Sequence, residues 1–102
     1  MSIADGDPVR AEDIPGAVTA RPLVYDDGTN QSFEPDGRTV YVDGGRPTEG
    51  EWYVDENGHF CSFWPPSYRA CYDLAWIVAD GAVVGLRFTE RDRGSRFTGR
   101  FR

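Results

Sequence analysis

From residue 23 onward the chain carries short apolar bursts that are repeatedly cut off. The bursts are LVY (23–25), SF (32–33), TVYV (39–42), EWYV (51–54), HFCSFW (59–64), ACYDLAWIV (70–78), AVVGLRF (82–88) and SRFTGRF (95–101). Aromatic and β-branched residues dominate them, and no stretch of useful length has helical periodicity. Turn dipeptides separate many of them: Asp27-Gly28, Asp36-Gly37, Asp43-Gly44, Asn57-Gly58 and Asp80-Gly81. Such pairs supply the positive φ angles that tight hairpins require. Residues 1–20 read differently, as an acidic arm in which Val9 to Ile14 can make a turn of helix that Pro15-Gly16 is expected to end. The pattern predicts one all-β domain over 1–102. Its architecture is a single antiparallel meander sheet or a small β-barrel, with a short N-terminal helical turn or extended arm.

Two loops fix a register. A three-residue loop Glu56-Asn57-Gly58 pairs Asp55 with His59, so Val54 faces Phe60 and Trp52 faces Ser62. A second, Pro65-Pro66-Ser67, pairs Trp64 with Tyr68, Cys61 with Cys71, Phe60 with Tyr72 and His59 with Asp73. Together they put Trp52, Val54, Phe60, Trp64, Tyr72, Leu74, Trp76 and Val78 on one face, which is expected to be the core. With so many aromatic side chains, the interior is expected to be filled.

Charge narrows the partners. The formal net charge is −6, which argues against nucleic acid or an anionic membrane surface. Residues 1–80 hold fifteen acids and five arginines, residues 81–102 two acids and six arginines, and there is no lysine. The arginine-rich end, broken by Phe88, Phe97 and Phe101, reads as strand with outward arginines. Arg96 and Arg100 are its candidate contacts for an acidic partner or a second copy, which would make a homodimer through the C-terminal strand. No run approaches a membrane span. The opening MSIADGDPVRAEDIPG has neither the basic nor the apolar region of a secretory signal. A cytoplasmic location follows if Met1 is the native start, a periplasmic or exported one if a disulfide forms and a signal was trimmed.

Two cysteines and one histidine carry the candidate chemistry. Cross-strand placement of Cys61 and Cys71 suits a disulfide or a pair of buried thiols. The competing reading is an activated thiolate at Cys61, with His59 as base and Asp73 orienting it. The spacing matches no zinc motif, so neither a metal nor a cofactor is expected. Gly44-Gly45 precedes Arg-Pro rather than a helix and is no phosphate loop. Tyr53, Phe63 and Tyr68 fall outside the predicted core, beside Pro65-Pro66, and form a candidate contact patch for a protein or small ligand.

The segment 26–74 resembles a group of small bacterial proteins that carry a domain of unknown function. The shared elements are Phe33-Glu34-Pro35-Asp36-Gly37-Arg38 (F-x-x-D-G-R), Gly50-Glu51-Trp52-Tyr53-Val54 (G-x-W-x-V), Asn57-Gly58, Cys61-Ser62-Phe63-Trp64 (C-x-x-W) and Cys71-Tyr72 (C-Y). The resemblance implies a small β domain and a Cys61–Cys71 disulfide, and export is common in that group. It implies no activity. Two functions from different classes follow. The first is a non-enzymatic β binding module, envelope-associated or inhibitor-like. The second is a thiol- or histidine-dependent enzyme centred on Cys61, His59 and Asp73.

Overall fold

The computed structural model describes residues 3–102. Eight strands follow one another around a closed antiparallel barrel, each paired with its sequence neighbours. They are β1 (Leu23–Tyr25), β2 (Asn30–Phe33), β3 (Arg38–Asp43), β4 (Arg46–Val54), β5 (Phe60–Trp64), β6 (Tyr68–Ala79), β7 (Ala82–Glu90) and β8 (Arg96–Phe101). Closure comes from β1 against β8, where Leu23 faces Phe101 and Tyr25 faces Gly99. A closed sheet has no free edge. The edge that an open meander would offer to a partner is therefore absent, and β8 has both sides occupied, by β1 and β7.

The register of the central hairpins is the expected one: Val54 opposite Phe60, Trp52 opposite Ser62, Cys61 opposite Cys71, Phe60 opposite Tyr72 and Trp64 opposite Tyr68. Alternation then sends Trp52, Phe60 and Leu74 into the core, with Val54, Tyr72 and Trp76 packed on it. A bulge between Ile77 and Val78 breaks the alternation at the far end of β6. The turns at Gly28, Gly37, Gly44, Gly58 and Gly81 all hold positive φ.

The helix differs from the expectation. Residues 11–13 form a 3₁₀ turn and α1 runs Ile14–Thr19, beginning where Pro15 was expected to stop it. Proline in the first turn removes no hydrogen bond, because that N–H lacks a helical acceptor anyway. Six residues are too few for a stable isolated helix. What holds α1 is burial of Ile14, Ala17 and Val18 in the same cluster as Phe33, Trp52, Phe60 and Leu74. The helix thereby plugs one end of the barrel. The arm before it covers the part of β6 that extends past β5: Gly6 N–H donates to Trp76 O, Trp76 N–H to Asp7 O and Val9 N–H to Leu74 O, each at 2.9 Å. Asp5 Oδ1 accepts the Val78 N–H at 2.9 Å.

Candidate functional site

The end opposite the helix is open. Loops 26–29, 44–45, 65–67 and 91–95 surround it, and a cavity of about 200 Å³ lies beneath them. Eight strands enclose a space just wide enough for side chains to fill or for one small ligand. Here the plugged half is filled and the open half is not. Phe33, Phe60 and Phe88 make the floor, their ring centroids 5.5–6.4 Å apart. The wall is a chain of ring contacts: Trp64 to Tyr41 and Tyr41 to Tyr25 at 6.4 Å, Tyr25 to Phe88 and Phe88 to Tyr72 at 6.1 Å, Tyr72 to Phe97 at 6.2 Å.

Glycines make this cup possible. Beneath Trp64 lies Gly50, where a Cβ would come 2.5 Å from Trp64 Cε3 and 2.8 Å from the Phe63 carbonyl oxygen. Likewise the Tyr25 ring lies against Gly99, with 3.0 Å from ring carbon Cε1 to where a Cβ would stand. Each ring thus leans on bare backbone instead of projecting across the cavity.

The polar groups of the wall are mostly tied to each other. Tyr25 hydroxyl donates to Gln31 Oε1 at 2.7 Å, Gln31 Nε2 to Thr39 Oγ1 at 2.8 Å, and Thr39 hydroxyl to the Ser32 carbonyl at 2.7 Å. A relay with every member satisfied fixes the ring of Tyr25. At the lip, Asp27 Oδ1 accepts both the N–H and the hydroxyl of Thr29, at 3.0 and 2.6 Å. Those bonds, the hydroxyl first, hold the Asp27 carboxyl below its ordinary pKa and keep it charged. Burial is the main force pushing the phenols of Tyr25 and Tyr72 up, so both stay protonated. Tyr68, at the rim, is raised by partial desolvation and by donating to Glu90 Oε2 at 3.1 Å. The cup can hold a guest by shape, ring faces and hydroxyls.

The residues singled out from sequence lie elsewhere. Cys61 and Cys71 form a disulfide on the outer wall, with Cys61 fully buried. Asp73, expected beside His59, instead accepts Arg91 Nη1 at 2.8 Å. The carboxylate next to His59 is Asp55, whose Oδ2 stands 3.3 Å from Nδ1. Hydrogen bonding by the His59 backbone N–H is the first cause that lowers the Asp55 pKa. Ligand-type atoms of Asp55, Cys61 and Cys71 come within 4.8 Å of one another, but the two sulfurs are bonded to each other. Arg69 lies over the rings of Tyr53 and Phe63, 5.4 and 4.8 Å from their centroids, and donates to the Tyr53 hydroxyl. Tyr68 is not with that pair, because its strand parity points it to the barrel mouth beside Trp64. Arg96 and Arg100 are exposed on β8.

Sequence reasoning missed Tyr25, Asp27, Gln31, Tyr41 and Phe97 as a site. They stand on β1, β2, β3 and β8 or the loop after β1; the first two hairpins gather Tyr25, Asp27, Gln31 and Tyr41, and barrel closure adds Phe97. Compared with known proteins, the chain matches no family model, no curated protein and no solved structure. Among the described residues no helix is long and apolar enough to cross a membrane.

Proposed function

We propose that the protein is a non-enzymatic binding barrel that takes one small molecule into the aromatic cup. The observation that carries this is the cavity itself: about 200 Å³ left open inside a barrel whose other end is closed by a helix and a hydrophobic core. A cavity of roughly 150 Å³ is known to hold a benzene ring, so the guest is a small compact molecule and not a lipid chain. The resemblance to the small bacterial group fits this reading, since two of its elements meet at the cup: the glycine of G-x-W-x-V is Gly50, and the tryptophan of C-x-x-W is the Trp64 that lies on it. The Cys61–Cys71 disulfide suits an oxidising compartment, and we place the protein in one.

The test is a ligand-observed NMR screen of small apolar and aromatic fragments against the full chain, followed by titration of the hits. Hits should compete with one another for a single site and weaken in Phe97→Ala, a substitution at a half-exposed position that the fold tolerates. A screen without hits, or hits indifferent to both Phe97→Ala and Trp64→Ala, would overturn the reading.

A further inference from the structure

Resting on the cup as a binding site, we propose that its guest is an organic cation of the quaternary or methylated ammonium class. Five rings, Tyr25, Tyr41, Trp64, Tyr72 and Phe97, line one space above a phenylalanine floor. A desolvated cation set over aromatic faces gains from the ring quadrupole as well as from burial, and cages of such rings select alkylammonium groups. Among the described residues the one charged group lining the cavity is Asp27. Its Oδ1 is held by Thr29, and among the described residues it forms no ion pair. Among the described residues no arginine or histidine lines the cup, so an anion would find no counter-charge from them.

Charges farther out do not reverse this. Arg91 is engaged by Asp73. Arg93 acts on Tyr68 at the rim together with Glu90 and Asp92, two acids against one base. The phenols of Tyr25 and Tyr72, raised by burial, remain neutral and add no charge of their own. A neutral apolar guest would use the rings alone. A cation uses the rings and Asp27 together, because Asp27 is an exposed carboxylate at the lip whose Oδ1 is turned to Thr29 and whose charge no arginine offsets through an ion pair among the described residues.

The experiment compares choline with its neutral isostere, in which carbon replaces the ammonium nitrogen. Both are titrated into the full chain by calorimetry and tryptophan fluorescence. Choline is expected to bind at least about tenfold more tightly than the isostere. Asp27→Asn should weaken choline about threefold and leave the isostere unchanged. Equal affinities would overturn the cation assignment while leaving the cup as a site. So would silence of both probes alongside neutral fragments that bind the cup. If no fragment and neither probe binds, the binding reading beneath it fails as well.

Discussion

Reducing the Cys61–Cys71 disulfide should weaken the fold by an amount that the chain length sets. The two cysteines are 10 positions apart and face each other across the β5–β6 hairpin. The ladder on either side already holds them together in the native state, so the cross-link acts mainly by restricting the unfolded chain. Chain-entropy arguments for a loop of about eleven residues give roughly 3 kcal/mol at 25 °C. For a domain of this size, roughly 1 kcal/mol corresponds to about 4–8 °C in Tm, so reduction should lower the Tm by about 10–25 °C. The assay is urea unfolding followed by tryptophan fluorescence, with and without a dithiol reductant. Cys61→Ala/Cys71→Ala serves as the control that reductant should not affect. The native spectrum in zero urea should be unchanged, because the core lies on the other face of these strands. A reduced protein within about 0.5 kcal/mol of the oxidised one would refute the reasoning, since a restricted unfolded state cannot be that small an effect.

Other outcomes follow from particular residues. Gly85→Ala should cost about 3 kcal/mol or more by thermal melt, because its Cβ would overlap the Gly99 carbonyl oxygen across β7 and β8. Gly16→Ala, with nothing within 4 Å of the new methyl, should be neutral or stabilising by about 0.5–1 kcal/mol. Asp27, Asp36 and Asp55 have folded pKa values below their unfolded ones, so the stability they add is full above about pH 4 and lost as pH falls below it. The urea midpoint should therefore drop only on the acid side, and a midpoint that rises on acidification contradicts this. Tyr25, Tyr68 and Tyr72 are shifted the other way, so their contribution is full below about pH 10 and lost above it. Spectrophotometric titration should find these three phenols ionising late, Tyr25 last of them. Deleting residues 1–9 removes the backbone bonds that cover β6 and takes the buried Val9 out of the core, which should lower stability by about 3 kcal/mol by urea titration.

Local chemistry made much of the fold legible. Asn57-Gly58 and the Pro65–Ser67 loop each set a register, and the two agree only if Cys61 faces Cys71. Alternation then separates Trp52 and Phe60 from Cys61 and Tyr53 with no further information. Closure was not legible, because β1 and β8 pair residues 23–25 with 99–101 and nothing local announces a contact across that much chain. The helix was misplaced by reading Pro15 as a stop, when proline serves equally as a first-turn residue. The cup escaped for a different reason. A heavy aromatic load reads as filling, and whether rings fill a space or wall it depends on what they lean against. Trp64 leans on Gly50 and Tyr25 on Gly99, and both glycines lie on strands paired with the ring's own strand or its neighbours. Sequence spacing cannot reveal that before the register of every strand is known.

An aromatic-resolved NMR titration of the full chain with choline is the most direct measurement of where a guest sits. Binding in the cup should shift the ring signals of Tyr25, Tyr41, Trp64, Tyr72 and Phe97 together along one saturation curve, while Tyr53 and Phe63 on the outer wall stay still. Shifts confined to the Tyr53–Phe63–Arg69 surface, or mouth rings that never move at saturating concentrations of choline and of neutral fragments alike, would contradict the cup as the binding site.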